Sequence, residues 1–167
     1  MDNYIVINGA KIPLADEQIN MINATIKPKR QNPFDRVEND QMYYSIEYDG
    51  SVSINIENDN PYGDKAFETG NYCTDFNLMG LRALHETLGR LLWRFSMENG
   101  ERENQWDGKH GHYYIYNSDP VFSSFEVGLR FHSKINGVSY FPSMELAKQA
   151  ITEIIEPFMK KHPEFVW

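Results

Sequence analysis

Twice along this chain the hydrophobic spacing changes from every second residue to every third or fourth. That change restricts the fold to antiparallel strands covered by a helix. In the first instance Tyr44, Ile46 and Tyr48 alternate with Ser45, Glu47 and Asp49, and Val52, Ile54 and Ile56 alternate with Ser53, Asn55 and Glu57. Setting Tyr48 opposite Val52 and Ile46 opposite Ile54 matches apolar with apolar, so the spacing predicts a three-residue or bulged turn at Asp49-Gly50. It also puts the isoleucines on one apolar face and Ser, Asn and the carboxylates on a wet one. Residues 58–69, with Pro61 and Gly63, read as a loop, and Gly70–Cys73 as a short strand. Thr74 or Asp75 then caps a helix to about Glu98, striped by Leu81, Leu84, Leu88, Leu91, Leu92 and Phe95 and closed by Asn99-Gly100.

The second instance follows a polar loop over 101–111. Tyr113 to Tyr116 forms a strand, Asn117 to Pro120 a turn, and Phe125, Val127, Leu129 and Phe131 alternate along the next strand. Asn136-Gly137 turns the chain into a strand from Val138 to Phe141. Ser143 caps a last helix with Ala147, Ile151, Ile154, Ile155 and Phe158 inward, and Pro157 weakens its final turn. A shift of 67 positions lays Leu84, Leu88 and Leu91 over Ile151, Ile155 and Phe158, which reads as an internal duplication. Ahead of both, Tyr4 to Leu14 forms a hairpin on Asn8-Gly9, a helix runs over 15–26, and a basic linker occupies 27–30. The expected fold is therefore α+β: an N-terminal hairpin and helix (1–31), then two β-β-β-α units (32–100 and 101–167) with helices packed on antiparallel sheet, as one compact domain or two small lobes.

Charge is distributed unevenly. Between Asp35 and Asp75 ten carboxylates face only Arg36 and Lys65, whereas the rest of the chain has fourteen acids and fourteen bases. A concentration of negative charge repels nucleic acid and attracts cationic surfaces, so no direct nucleic-acid binding is expected. The single cysteine, Cys73, excludes an internal disulfide and a cysteine-based zinc cluster. No secretory leader is read at the start, and the longest apolar stretch, Leu81 to Phe95, is interrupted by five charged or histidine side chains. No membrane association is expected, and the expected address is the cytoplasm of a bacterial host.

The segments Asn32-Pro33-Phe34-Asp35-Arg36-Val37-Glu38, Tyr43-Tyr44, Gly70-Asn71-Tyr72 and Leu92-Trp93-Arg94-Phe95 carry a family resemblance, as do Tyr113 to Tyr116 and Tyr140 to Ala147. Over roughly Asn32 to Phe158 the chain resembles small accessory proteins encoded by phages and prophages of Firmicutes. Pro142 departs from the Ser-Ser motif of that set, and Cys73 and the basic helix after Asp75 depart from it too. The resemblance implies a mobile-element accessory role and no particular chemistry.

Candidate catalytic groups are sparse. His110 and His112 with Asp107 have the residue types of a zinc or iron site, but Gly111 separates them in a loop, and exposed loop histidines are the simpler reading. His85-Glu86 lacks the second histidine of a zinc-protease helix. Cys73 precedes a helix start, where a thiolate is stabilised, but a short buried strand cysteine is the default reading. Gly-x-Ser-x-Gly, phosphate-loop and dinucleotide glycine patterns are absent. No catalytic residue and no cofactor are therefore expected.

The expected function is non-catalytic: an acidic surface that binds a host protein with a basic nucleic-acid-binding groove, in the manner of anti-CRISPR or anti-restriction inhibitors. Glu47, Asp49, Glu57, Asp59, Asp64, Tyr43 and Tyr62 are the expected contact residues. The alternatives are a nucleotide-like ligand bound in a Tyr-lined cleft between the two repeats, and a metal-dependent hydrolase built on His110 and His112.

Overall fold

A computed structural model describes residues 4–7, 9–19, 32–101, 106–119 and 124–167. They fall into two compact units, Met1–Asp35 and Arg36–Trp167. In the first, β1 (Tyr4–Ile7) and β2 (Ala10–Pro13) pair with Ile7 opposite Ala10 and Ile5 opposite Ile12, the register a two-residue turn imposes. Gly9 has a φ of +82°, as such a turn requires, while Asn8 lies outside the described residues. Helix begins at residues 16–19, where the Ile19 N–H donates to the Ala15 carbonyl. The remainder of the expected helix and the basic linker lie outside the described residues.

The second unit is α+β. It runs β3 (Met42–Ile46), β4 (Val52–Ile56), α1 (Pro61–Glu68), α2 (Phe76–Glu98), β5 (His112–Asp119), β6 (Ser124–Arg130), β7 (Tyr140–Phe141), α3 (Met144–Ala150), a π-helical turn (Ile151–Ile155) and α4 (Glu156–Lys161). Its two sheets share one plan. In each, a hairpin is followed by a short antiparallel segment that returns beside the first hairpin strand: Cys73 bridges Tyr44, and β7 pairs with β5. In each, a helix with a side-chain cap follows, Asp75 accepting from the N–H groups of Asn77 and Leu78, and Ser143 from that of Leu146. The two halves share a core. Leu88 and Leu92 of α2 pack with Ile115, Phe141, Ala147, Ala150, Ile155, Phe158 and Phe165.

Several expectations need correction. Residues 61–68 are helical rather than loop: the Asn60 side chain accepts the N–H groups of Tyr62 and Gly63, and Pro61 stands at the helix start, where its missing N–H costs nothing. The segment at Cys73 is a single bridge, and β7 holds only Tyr140 and Phe141. β5 runs on through Asn117 to Asp119, where a turn was expected, with a register shift there. Pro157 acts one turn earlier than its position suggests. It has no N–H for the Glu153 carbonyl and its ring would crowd that oxygen, and the helix widens into the π turn immediately before it.

The largest difference is in the first hairpin. The Glu47 N–H donates to the Ser51 carbonyl at 2.8 Å, which leaves the expected three-residue turn, but over 48–50, one residue early, with Gly50 at a φ of +89°. Ile46 therefore faces Val52 and Tyr44 faces Ile54, and apolar still meets apolar. The sheet also presents the opposite face to the core. Tyr43, Ser45 and Glu57 are buried, while Met42, Ile54 and Ile56 are 59%, 64% and 57% exposed. The polar face is tolerated inside because its groups satisfy one another. The hydroxyls of Ser45 and Ser53 lie 3.0 Å apart, and the Asn55 amide donates to both. The Asn71 side chain closes the outer edge of β3, accepting from the Ile46 N–H at 2.8 Å and donating to its carbonyl at 2.9 Å.

Candidate functional site

Glu57 directly follows β4, and its carboxylate is 1% exposed. Arg36 grips it with two parallel bonds, Nε to Oε2 at 3.0 Å and Nη2 to Oε1 at 2.9 Å. The Tyr72 hydroxyl donates to Oε2 at 3.1 Å, and the N–H groups of Asn58 and Asp59 donate to Oε1. Gly63 makes the room: a Cβ there would lie 3.0 Å from Glu57 Oε1. The Arg36 guanidinium bond outweighs the burial and holds the Glu57 carboxyl at about 2, well below its ordinary value. Tyr43 stacks on Tyr72 with ring centroids 4.1 Å apart. Glu57 and Tyr43, both expected to meet a partner, therefore belong to the interior of the fold.

Arg36 also bonds Asp64 through Nη1 at 2.7 Å and lies 4.0 Å from Asp59. Asp59 in addition accepts a bond from the Asn39 amide at 2.6 Å. Glu47 and Asp49 stand at the other end of the hairpin, where Asp49 accepts from the N–H and hydroxyl of Ser51. At about 3.3 Å per residue, the five residues of β4 separate these ends by roughly 16 Å. The carboxylates thus form two groups, not one continuous patch, and between them lies the exposed apolar face of Met42, Ile54 and Ile56. Tyr44 borders this face, edge-on to Phe76 at 5.3 Å, and Phe76 is itself 52% exposed. Tyr48 at the turn and Tyr62 on α1 are free of burial, at 95% and 86% exposed. Alternation alone marked the isoleucines as a set. Only the hydrogen bonds between Ser45, Ser53 and Asn55 reveal that they face outward.

The two histidines diverge. His110 Nδ1 lies 2.7 Å from Asp107 Oδ2 on the surface, and the N–H groups of His110 and Lys109 donate to the same carboxylate, which holds Asp107 at about 2. His112 is buried, with Nδ1 2.7 Å from Glu101 Oε1 and its ring stacked on Trp106 at 4.1 Å. Each imidazole has its own carboxylate, and among the described residues no three His, Cys, Asp or Glu side chains are grouped to hold a metal. Cys73 is fully buried, its sulfur 3.4 Å from the Asp75 N–H. Glu86 pairs with Arg82 at 2.8 Å, and the His85 ring packs 4.6 Å from that of Phe165.

A cavity of about 380 Å³ lies between α2 and the second sheet. His85, Leu88, Gly89 and Leu92 line it from the helix, Tyr114 to Tyr116 from β5, and 137–139, Phe141, Phe165 and Trp167 from the remaining segments. Tyr114 and Tyr116 are among its lining residues, but their side chains lean over β6, Tyr114 across Gly128 and the Tyr116 hydroxyl donating to Glu126 at 2.7 Å. Gly89, Ser139 and Phe165 were not foreseen, and the only signal for them was a glycine in mid-helix.

No helix among the described residues is long and apolar enough to cross a membrane. No protein-family model matches the chain, and no curated protein or solved structure matches it significantly.

Proposed function

We propose that this is a non-catalytic accessory protein, of the kind carried by phages and prophages, that acts by binding a host protein through the outward face of β3 and β4. The supporting observation is the exposure of Met42, Ile54 and Ile56 side by side on a sheet whose other face holds the buried Tyr43, Ser45 and Glu57. Contiguous apolar surface of this kind marks contact sites, and it supplies the affinity that carboxylates alone do not. Glu47 and Asp49 at one end, with Asp59 and Asp64 at the other, add steering and select a partner with Lys or Arg around an apolar centre. A nucleic-acid-binding defence enzyme offers such cations. Two copies of this chain meeting here would oppose like-charged rims.

The test is tagged capture with cross-linking from a bacterium carrying an active CRISPR or restriction system, combined with a challenge assay for inhibition. Ile54→Ser with Ile56→Ser is expected to abolish both the cross-linked partner and the inhibition. Glu47→Gln with Asp49→Asn is expected to slow association several-fold and reduce its salt dependence. Wild-type inhibition that survives the double isoleucine change overturns the proposal.

A further inference from the structure

The cavity beside α2 sits where the second sheet comes apart. β7 pairs with β5 only at Tyr113–Phe141 and Tyr114–Tyr140. Continuing that register would put Ser139 opposite Ile115 and Val138 opposite Tyr116. These four residues instead line the cavity, and the Tyr140 hydroxyl accepts the Ile135 N–H at 2.7 Å, tethering the loop that precedes β7. The parted strands form a fork, and a strand edge opened in this way turns backbone N–H and C=O groups toward whatever enters.

The floor of the fork is apolar and largely aromatic: Leu88, Leu92, Phe141, Phe165 and Trp167. Among the described residues its lining includes no Lys, Arg, Asp or Glu, so a phosphate or other full charge finds no permanent counter-ion among them. Polar groups in the lining come from the strand edge, Ser139, His85 and the two tyrosines Tyr114 and Tyr116. The size falls at the lower end of the roughly 300–1,000 Å³ typical of small-molecule sites.

Gly89 leaves room on the helix side, as Gly80 does elsewhere along α2. It lies inside α2, where glycine is unfavourable relative to alanine, and neither a positive φ nor crowding requires it, since a Cβ there would meet nothing within 4 Å. What its missing side chain does leave is space on the cavity wall.

We infer that the fork between β5 and the segment preceding β7 is a binding site for a small, neutral, planar heteroaromatic molecule. Its rings lie between Gly89 on the helix and the half-buried Val138 and Trp167, and its polar edge meets the open edge of β5 and Ser139. The site shares no lining residue with the outward face of β3 and β4, so it stands or falls separately from partner binding.

The test is NMR titration of the full chain with adenosine, guanosine and indole, and with AMP and GMP as anionic counterparts. The amides of Ile115, Tyr116 and Ser139 are expected to shift with at least one neutral probe, and the matching monophosphate to bind at least tenfold more weakly. Gly89→Leu, which fills the space without crowding the helix, is expected to abolish the shifts while the melting temperature holds or rises. Ser139→Phe, from the opposite lip, is expected to do the same. The inference is overturned if no neutral probe shifts these amides, if binding survives both substitutions in folded protein, or if the phosphorylated form binds better. Partner capture by folded Gly89→Leu protein is expected to match wild type, which separates the two readings.

Discussion

A carboxylate with five donors and almost no solvent contact, as at Glu57, is a structural element in its own right. Its carboxyl is held at about 2 against an ordinary 4.5, so folding stability depends on its ionisation. The folded value is the lower one. Its contribution is therefore complete above about pH 4.5 and is lost as pH falls toward 2, amounting to about 3 kcal/mol in all. Denaturant titrations between pH 2 and 7 are expected to show that loss. Glu57→Gln is expected to cost about 3 kcal/mol at pH 7, since Arg36 is left half-paired, and to flatten the acid limb. An unchanged acid limb in the variant would assign the pH dependence elsewhere. Glu57 also shows why charge counting overreaches. The sequence marks ten acids in one stretch but does not say which of them Arg36 claims, because that pairing joins residues 21 apart.

At the level of elements, α2 was legible end to end. Asp75, the leucine spacing and Asn99-Gly100 are local signals, and local signals survive into the fold. Asp75→Ala, which strips the cap from the Asn77 and Leu78 N–H groups, is expected to cost about 1 kcal/mol in thermal or urea unfolding. The first hairpin was half legible. The odd loop follows from pairing like with like, yet the face it buries depends on Asn55 reaching both serines and on Asn71 closing the edge from 25 residues away. An apolar-polar alternation fixes which residues share a face. It leaves open which face is inside when the polar set can saturate its own hydrogen bonds. The helix at Pro61 was missed for a related reason: Asn60-Pro61 is as much a turn signal as a helix start.

Over the whole molecule, the repeats are united by a core that neither half can complete. Leu88 and Leu92 come from the first, and Phe141, Ala147 and Ile155 from the second. A fragment of residues 36–167 is expected to unfold in one cooperative transition, whereas 36–100 or 101–167 alone is expected to lack fixed tertiary structure by near-ultraviolet circular dichroism. The functional reading rests on the orientation of the first sheet within this unit. Its direct measurement is paramagnetic broadening of isoleucine methyl resonances by a soluble gadolinium chelate. The fold described here predicts strong broadening at Ile54 and Ile56 and protection at Ile115 and Ile155, which are 6% and 0% exposed. Protection of Ile54 and Ile56 equal to that of Ile155 would contradict it, and would remove the surface on which partner binding is proposed.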